Sequence, residues 1–213
     1  VKLTLHSAWR SSAAYRVRIG LNLKGLTYDV VPVNLVSSQH LEPAYAALNP
    51  QRLLPTLEVD GKVLTQSLAI LEWLDETAPE PRLLPADPFD RAVVRSMAEI
   101  VACDIHPVNN LRILRALTGL GVDEPGRDAW IQRWIADGFT ALELLIAQHG
   151  QGFAFGDTPG LADCCLVPQV YNAERFKTDL TPFPAIRAVA ARCAEHPAFA
   201  AAHPNIQPDA IHA

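Results

Sequence analysis

The chain has 213 residues, 49% hydrophobic and 19% charged, a balance that excludes a mainly disordered polypeptide. Its formal net charge of -5 is spread without a basic block, so neither nucleic acid nor an anionic membrane is an expected partner. No apolar run approaches the roughly 20 residues of a membrane span. The first residues, Val1 to Leu5, alternate like a strand and do not read as a signal-peptide core. The four cysteines (Cys103, Cys164, Cys165 and Cys193) form no CxxC and show no zinc-finger spacing. They are expected to be buried free thiols in a reducing cytoplasm. The seven histidines are scattered, so no metal site is expected.

In chain order, Leu3 and Leu5 alternate with Thr4 and His6, which predicts a strand with one buried face. A helix is predicted from Ser12, with Ala13, Ala14, Val17 and Leu21 on one face, Lys24 in its last turn and Gly25 as its cap. Tyr28 to Val33 reads as a second strand, and Pro43 to Ala47 as a short helix. Thr56 to Val59 and Lys62 to Thr65 flank Asp60-Gly61, a two-residue hairpin signal. Ser67 reads as the N-cap of an apolar helix from Leu68 to Glu76.

This β-α-β, linking segment, β-β-α order is that of a thioredoxin-like domain. Residues 78–89 hold Pro79, Pro81, Pro85 and Pro88, as expected of a linker. Everything beyond reads as helical. Arg91 to Leu117 is amphipathic and interrupted at Pro107. Trp130, Ile131, Trp134, Ile135, Phe139, Leu142, Leu145 and Ile146 recur at helical spacing. Two shorter helices are predicted near Leu161 to Ala173 and Pro184 to Glu195, followed by a proline-rich irregular tail. The expected organisation is an α/β thioredoxin-like domain over 1–78, a linker over 79–89 and an all-α domain over 90–213.

Three features of the first domain bear on chemistry. Ser11-Ser12 stands where the first strand gives way to the first helix. Open N–H groups and the helix dipole favour an anion there, and a serine hydroxyl can donate to a thiolate. The same serines suit a plain N-cap, so alone they leave both roles open. Leu53-Leu54-Pro55-Thr56 puts a proline directly before a strand. In thioredoxin-like domains that proline is cis, against about 5–6% of X-Pro bonds generally, and the preceding backbone is free to pair with a peptide ligand. Gln66-Ser67 opens a helix just after the hairpin, where N–H groups and a hydroxyl suit a carboxylate.

The order and spacing of these blocks resemble the zeta class of the glutathione transferase superfamily, which includes maleylacetoacetate and maleylpyruvate isomerases. The resemblance is carried by Ser11-Ser12 with Arg16-Val17-Arg18-Ile19, by Leu48-Asn49-Pro50, by Pro55-Thr56-Leu57 and by Gln66-Ser67-Leu68-Ala69-Ile70. It extends to Asp104-Ile105-His106-Pro107, Asn109-Asn110, Gly156-Asp157 and Leu161-Ala162-Asp163, and so covers nearly the whole chain. It implies a glutathione cofactor, a cytoplasmic homodimer, and cis–trans isomerisation of a doubly carboxylated enone in aromatic catabolism. A thiolate adds to the activated double bond, the resulting single bond rotates, and elimination returns thiolate and trans alkene.

By the same resemblance, Gln66 and Ser67 take the γ-glutamyl end of glutathione. The Leu54 backbone before Pro55 pairs with its cysteinyl part, and His40 and Gln51 are candidates for its glycyl carboxylate. Asp104 and His106 stand where the superfamily often reaches across a dimer. Ser11 is the expected thiolate donor, with Ser12 as the alternative. A free thiol near pKa 8.5 is only a few per cent ionised at neutral pH, and lowering it by two units takes about 2.7 kcal/mol. A helix N-terminus with one hydroxyl can supply that. Arg10, Arg112 and Arg175 are the candidates for the substrate carboxylates, because guanidinium forks bind them bidentately. Arg16 and Arg18, two residues apart, face different sides of a helix and are expected to be structural.

Two departures from the zeta pattern stand out. Ala13 replaces the usual cysteine, so the sulfur must come from glutathione. Gly160 replaces the usual Ser or Thr three residues before Asp163, which bears on helix stability and not on activity. Two other readings use the same fold: a general glutathione transferase that conjugates electrophiles, and a non-enzymatic binding module. The retained Ser11, Pro55, Gln66 and Ser67 speak against the module, and the lack of a cysteine near position 11 speaks against a thiol transferase.

Overall fold

Alternating burial along Leu3–Ser7 makes strand β1, with Leu3, Leu5 and Ser7 turned inward. The computed structural model of the chain describes residues 1–211. After β1 come α1 (Ser12–Leu23), β2 (Asp29–Pro32), a 3-10 turn (Gln39–Leu41), α2 (Pro43–Leu48), β3 (Thr56–Val59), β4 (Lys62–Thr65) and α3 (Ser67–Thr77). The sheet order is β2-β1-β3-β4, with β1 parallel to β2 and antiparallel to β3. The predicted hairpin closes through Asp60 and Gly61, both at positive φ (48° and 81°), as a primed turn requires.

Helix α1 is buried on almost every side. One flank packs on α3, where a Cβ built on Gly20 would lie 2.1 Å from Leu71 Cδ2, so a larger residue would force the Leu71 side chain to move. The other flank is covered by the end of the chain. The tail expected to be irregular forms α9 (Pro197–Ala202), which packs on α1, and a 3-10 turn (Pro204–Ile206). Pro197 opens α9 at a first-turn position, where its missing N–H costs nothing. Asn22 Nδ2 donates to the Ala198 carbonyl at 2.9 Å, and Arg18 Nε to that of Ala202 at 3.0 Å. By contact the chain divides between Leu83 and Leu84, and the segment from Glu195 groups with the N-terminal unit.

The helical unit, Leu84–Ala194, contains α4 (Pro88–Glu99), α5 (Leu111–Gly119), α6 (Glu124–His149), α7 (Leu161–Arg175) and most of α8 (Pro184–Glu195). The predicted 91–117 stretch is broken by a π-helical segment (Ile100–Ile105) and a 3-10 turn (Pro107–Asn109), which absorb the break at Pro107. Ile131, Ile135, Phe139, Leu142 and Ile146 form the buried stripe of α6, while Trp130 and Trp134 lie half-buried beside it. Cys164, Cys165 and Cys193 are buried, but Cys103 is exposed, contrary to expectation, because it lies on the outer side of the π-helical segment.

Helix α7 starts at Gly160, which has no side chain to cap it. Asp163 turns back instead: Oδ2 accepts from the Gly160 N–H at 2.9 Å and Oδ1 from the Ala154 N–H at 2.8 Å. Burial pushes the Asp163 carboxyl up to about 6, although both N–H donors pull the other way.

Candidate active site

The first site element is the turn from β1 into α1. Ser11 sits at the N-cap in extended conformation, and its Oγ accepts from the Ala14 N–H at 3.2 Å. That bond uses an oxygen lone pair, so the hydroxyl proton stays available for an outside acceptor. Capping and donation are therefore compatible in one residue. Ser11 is half-buried, whereas Ser12, the first helical residue, is 7% exposed. Arg10 is exposed, with its guanidinium carbon 4.1 Å from the centre of the Trp9 ring. Among the described residues, Arg10 has no hydrogen bond or ion pair.

The second element is the loop into β3. The Leu54–Pro55 peptide is cis, and Pro55 is buried. On either side of Leu54 the polar groups are engaged. The Leu53 carbonyl accepts from Tyr45 Oη and from Asn49 Nδ2, each at 2.8 Å, and both side chains also bond Thr56 Oγ1. Among the described residues, neither the N–H nor the carbonyl of half-buried Leu54 has a partner. The clamp thus isolates one free peptide edge. Asn49 and Tyr45 went unassigned in the sequence reading. Their only signals were the Leu48-Asn49-Pro50 block and a short predicted helix.

The third element is the start of α3. Here the structure corrects the cap: Gln66, not Ser67, is the N-cap, and its side chain makes no cap bond. Gln66 holds φ 70°, ψ 119°, a costly conformation for a residue with a Cβ, and points Nε2 to Gln51 Oε1 at 2.6 Å. Ser67 is 5% exposed and its Oγ accepts from Arg16 Nη1 at 3.2 Å. The N-cap thus offers the first-turn N–H groups of α3 no side-chain acceptor, an arrangement suited to binding a carboxylate. Arg16 and Arg18 do lie on different faces, as expected. Arg16 meets Ser67, while Arg18 donates to Ser7 Oγ at 2.9 Å and to the Trp9 carbonyl at 3.1 Å. Arg16 is thus in direct contact with the candidate cofactor site. His40 is 8% exposed in the Gln39–Leu41 turn.

The remaining candidates belong to the helical unit. Arg112 is exposed in the first turn of α5, which Asn110 caps by accepting from the Arg112 N–H at 3.1 Å. Arg175 ends α7, exposed, with its guanidinium carbon 4.5 Å from the Phe176 ring centre. Asp104 is exposed in the π-helical segment, and half-buried His106 follows it.

Comparison with known proteins gives this geometry a family. The model of the glutathione S-transferase N-terminal domain matches residues 10–77, and that of the C-terminal domain matches 128–205. A maleylpyruvate isomerase of Ralstonia is 52% identical over 97% of this chain and 99% of its own. A holo structure of maleylpyruvate isomerase, a bacterial zeta-class enzyme, superposes with TM-score 0.96 at 52% identity over 98% of this chain and 100% of the other. A maleylacetoacetate isomerase from Anaeromyxobacter dehalogenans, solved with glutathione in its active site, gives TM-score 0.89 at 47% identity, covering 99% and 98%. The chain belongs to the glutathione S-transferase family, in its zeta-class branch of maleylacetoacetate and maleylpyruvate isomerases.

Proposed function

We infer that this chain is a glutathione-dependent isomerase that converts a maleyl dicarboxylate, maleylacetoacetate or maleylpyruvate, to its trans isomer. One observation carries the reading. The N-terminal unit carries the uncapped α3 start, the unpaired Leu54 peptide and the Ser11 helix start but no cysteine, since all four cysteines lie between residues 103 and 193. The reacting sulfur is therefore that of a bound peptide. The residues fit glutathione: the open start of α3 with Gln66 and Ser67 receives the γ-glutamyl carboxylate, and the free Leu54 edge pairs with the cysteinyl part. Gln51, bonded to Gln66, borders the same place, with His40 as the further candidate for the glycyl end.

When bound, glutathione supplies the thiol that adds reversibly to the substrate double bond and is released unchanged. Ser11 donates its free hydroxyl proton toward that sulfur, and the α1 N-terminus favours the negative charge, together holding it as thiolate near neutral pH. Ser12 is too buried to be the first choice. Arg10 has an uncommitted guanidinium and takes one substrate carboxylate; Arg112 and Arg175 are the candidates for the other. Asp104 and His106 are assigned to a contact with the neighbouring subunit of a homodimer. No helix among the described residues is long and apolar enough to cross a membrane. Four cysteines outside any disulfide support a cytoplasmic setting for the enzyme. Light scattering on purified protein tests the dimer.

The functional test is a spectrophotometric assay with both maleyl substrates, with and without glutathione. Loss of the cis form at catalytic turnover, dependent on glutathione and without its consumption, is the expected result. Conjugation of electrophiles without isomerisation of either substrate would replace the isomerase by a general transferase.

A further inference from the structure

We propose that Asp209, near the end of the chain, is a positioning residue for Arg10, so that the C-terminal segment forms part of the substrate-binding apparatus. The inference rests on the reading of Arg10 as a holder of a substrate carboxylate. All the residues concerned lie in the N-terminal unit, to which the segment from Glu195 belongs.

Arg10 carries a long, exposed side chain, and its one orienting contact among the described residues is the Trp9 ring, 4.1 Å away. A guanidinium stacked in this way presents its N–H edge in one plane, ready for a carboxylate, provided that the ring itself is fixed. Trp9 is only half-buried, in a loop between β1 and α1 with no regular secondary structure. Its fixity comes from its backbone, which is held from both sides. The Trp9 carbonyl accepts from Arg18 Nη2 at 3.1 Å, and the Trp9 N–H donates to Asp209 Oδ2 at 2.9 Å across 200 residues of sequence.

Both holds depend on the tail. Arg18 also donates to the Ala202 carbonyl in α9, and His203 meets Tyr15 of α1 edge-on with ring centres 6.2 Å apart. The chain after Ala202 is thereby anchored, and Asp209 arrives at Trp9 from an anchored base. A charge-assisted bond from carboxylate to backbone N–H is among the stronger single contacts available to such a loop. Removing it frees the Trp9 peptide to rotate, and a small displacement of the stacked guanidinium is multiplied along the arginine stem. Misplacement of a binding group by about 1 Å is enough to cost one to two orders of magnitude in rate or affinity.

The test compares Asp209→Ala, Asp209→Asn, Arg10→Ala and the double variant Arg10→Ala/Asp209→Ala in the full chain, reading KM for the maleyl substrate separately from KM for glutathione. A reversible partial loss of folding raises both KM values alike, so a rise confined to the maleyl KM separates positioning from instability. Asp209→Ala should raise the maleyl KM about tenfold with glutathione KM within about twofold. Asp209→Asn, which keeps a carbonyl oxygen for the Trp9 N–H, should restore most of it. The double variant should be no worse than Arg10→Ala alone, since Asp209 acts through Arg10. An unchanged maleyl KM in Asp209→Ala beside a raised one in Arg10→Ala overturns the positioning role and leaves the Arg10 reading standing. Losses that add in the double variant, or equal rises in both KM values, overturn it too. An unchanged KM in Arg10→Ala removes the Arg10 reading and this proposal with it.

Discussion

Two helix starts in this molecule treat their first-turn N–H groups in opposite ways. At α7, Gly160 offers no cap, and Asp163 folds back to take the Gly160 and Ala154 N–H groups while itself only 1% exposed. At α3, Gln66 offers a capping side chain but turns it to Gln51, and the Ser67 hydroxyl is held by Arg16. The first end is closed by the chain's own carboxylate. The second has no side-chain cap, and under the proposed function it receives a carboxylate from the bound peptide. What separates the two cases is the acceptor: α7 carries Asp163 at its third helical position, where α3 carries Ala69. A closed terminus contributes to stability, whereas an open one holds unsatisfied donors whose value is realised only on binding.

The largest effect expected from this contrast is at the closed end. Asp163→Ala leaves the buried Ala154 N–H and the part-buried Gly160 N–H without this acceptor, so unfolding at pH 5 should show a loss of about 3 kcal/mol. The deficit should depend on pH in a definite direction. The folded carboxyl titrates at about 6, above its ordinary 3.8, so the folded state keeps its proton longer than the unfolded chain. That contribution is fully present below pH 3.8 and is lost as pH rises through 6. The parent should therefore lose about 1 kcal/mol between pH 5 and 7 that the alanine variant does not. Denaturant melts at the two pH values measure both numbers, and a deficit that widens toward pH 7 would reverse the assignment.

Effects at the open, ligand-facing ends should appear in kinetics. Ser11→Ala removes the hydroxyl proposed to donate to the sulfur and should lower kcat about 100-fold, while the lost cap destabilises the fold by only about 1 kcal/mol. A thiolate titration of bound glutathione should move up in pH by a comparable amount. Ser67→Ala should raise glutathione KM about tenfold, equivalent to about 1.4 kcal/mol, with kcat nearly unchanged. If Ser67→Ala altered unfolding as strongly as Asp163→Ala does, the contrast between open and closed ends would collapse.

Much of the N-terminal unit was legible because its signals are local. The Asp60-Gly61 turn fixes β3 and β4 to the residue, and the Ser11, Pro55 and Gln66 positions follow from where strands meet helices. What escaped the sequence depends on contacts between distant residues. The burial of both flanks of α1, including Arg16 and Arg18, follows from α3 on one side and α9 on the other, and α9 is six residues bounded by prolines. No periodicity can announce a helix that short. Gln66 was passed over as a cap because its backbone is set by the strand before it and not by helix propensity. The Trp9–Asp209 bond spans almost the entire chain and has no sequence signature at all.

The smallest expected effect is the finest probe of the comparison. Gly160 lies at φ -139° and ψ -161°, extended backbone that any residue adopts, so Gly160→Ser meets no conformational barrier. The new hydroxyl can accept from the Asp163 N–H and complete the reciprocal half of the cap that Asp163 already provides. Since glycine trails serine at this position by only a few tenths of a kcal/mol, the midpoint of thermal unfolding should rise by about 1 °C. Isomerase kcat and both KM values should stay unchanged, because the closed end of α7 serves stability alone. A change in either KM would mean that α7 transmits its geometry to Arg175 at its far end, and the separation of the two helix starts into stabilising and binding roles would then fail.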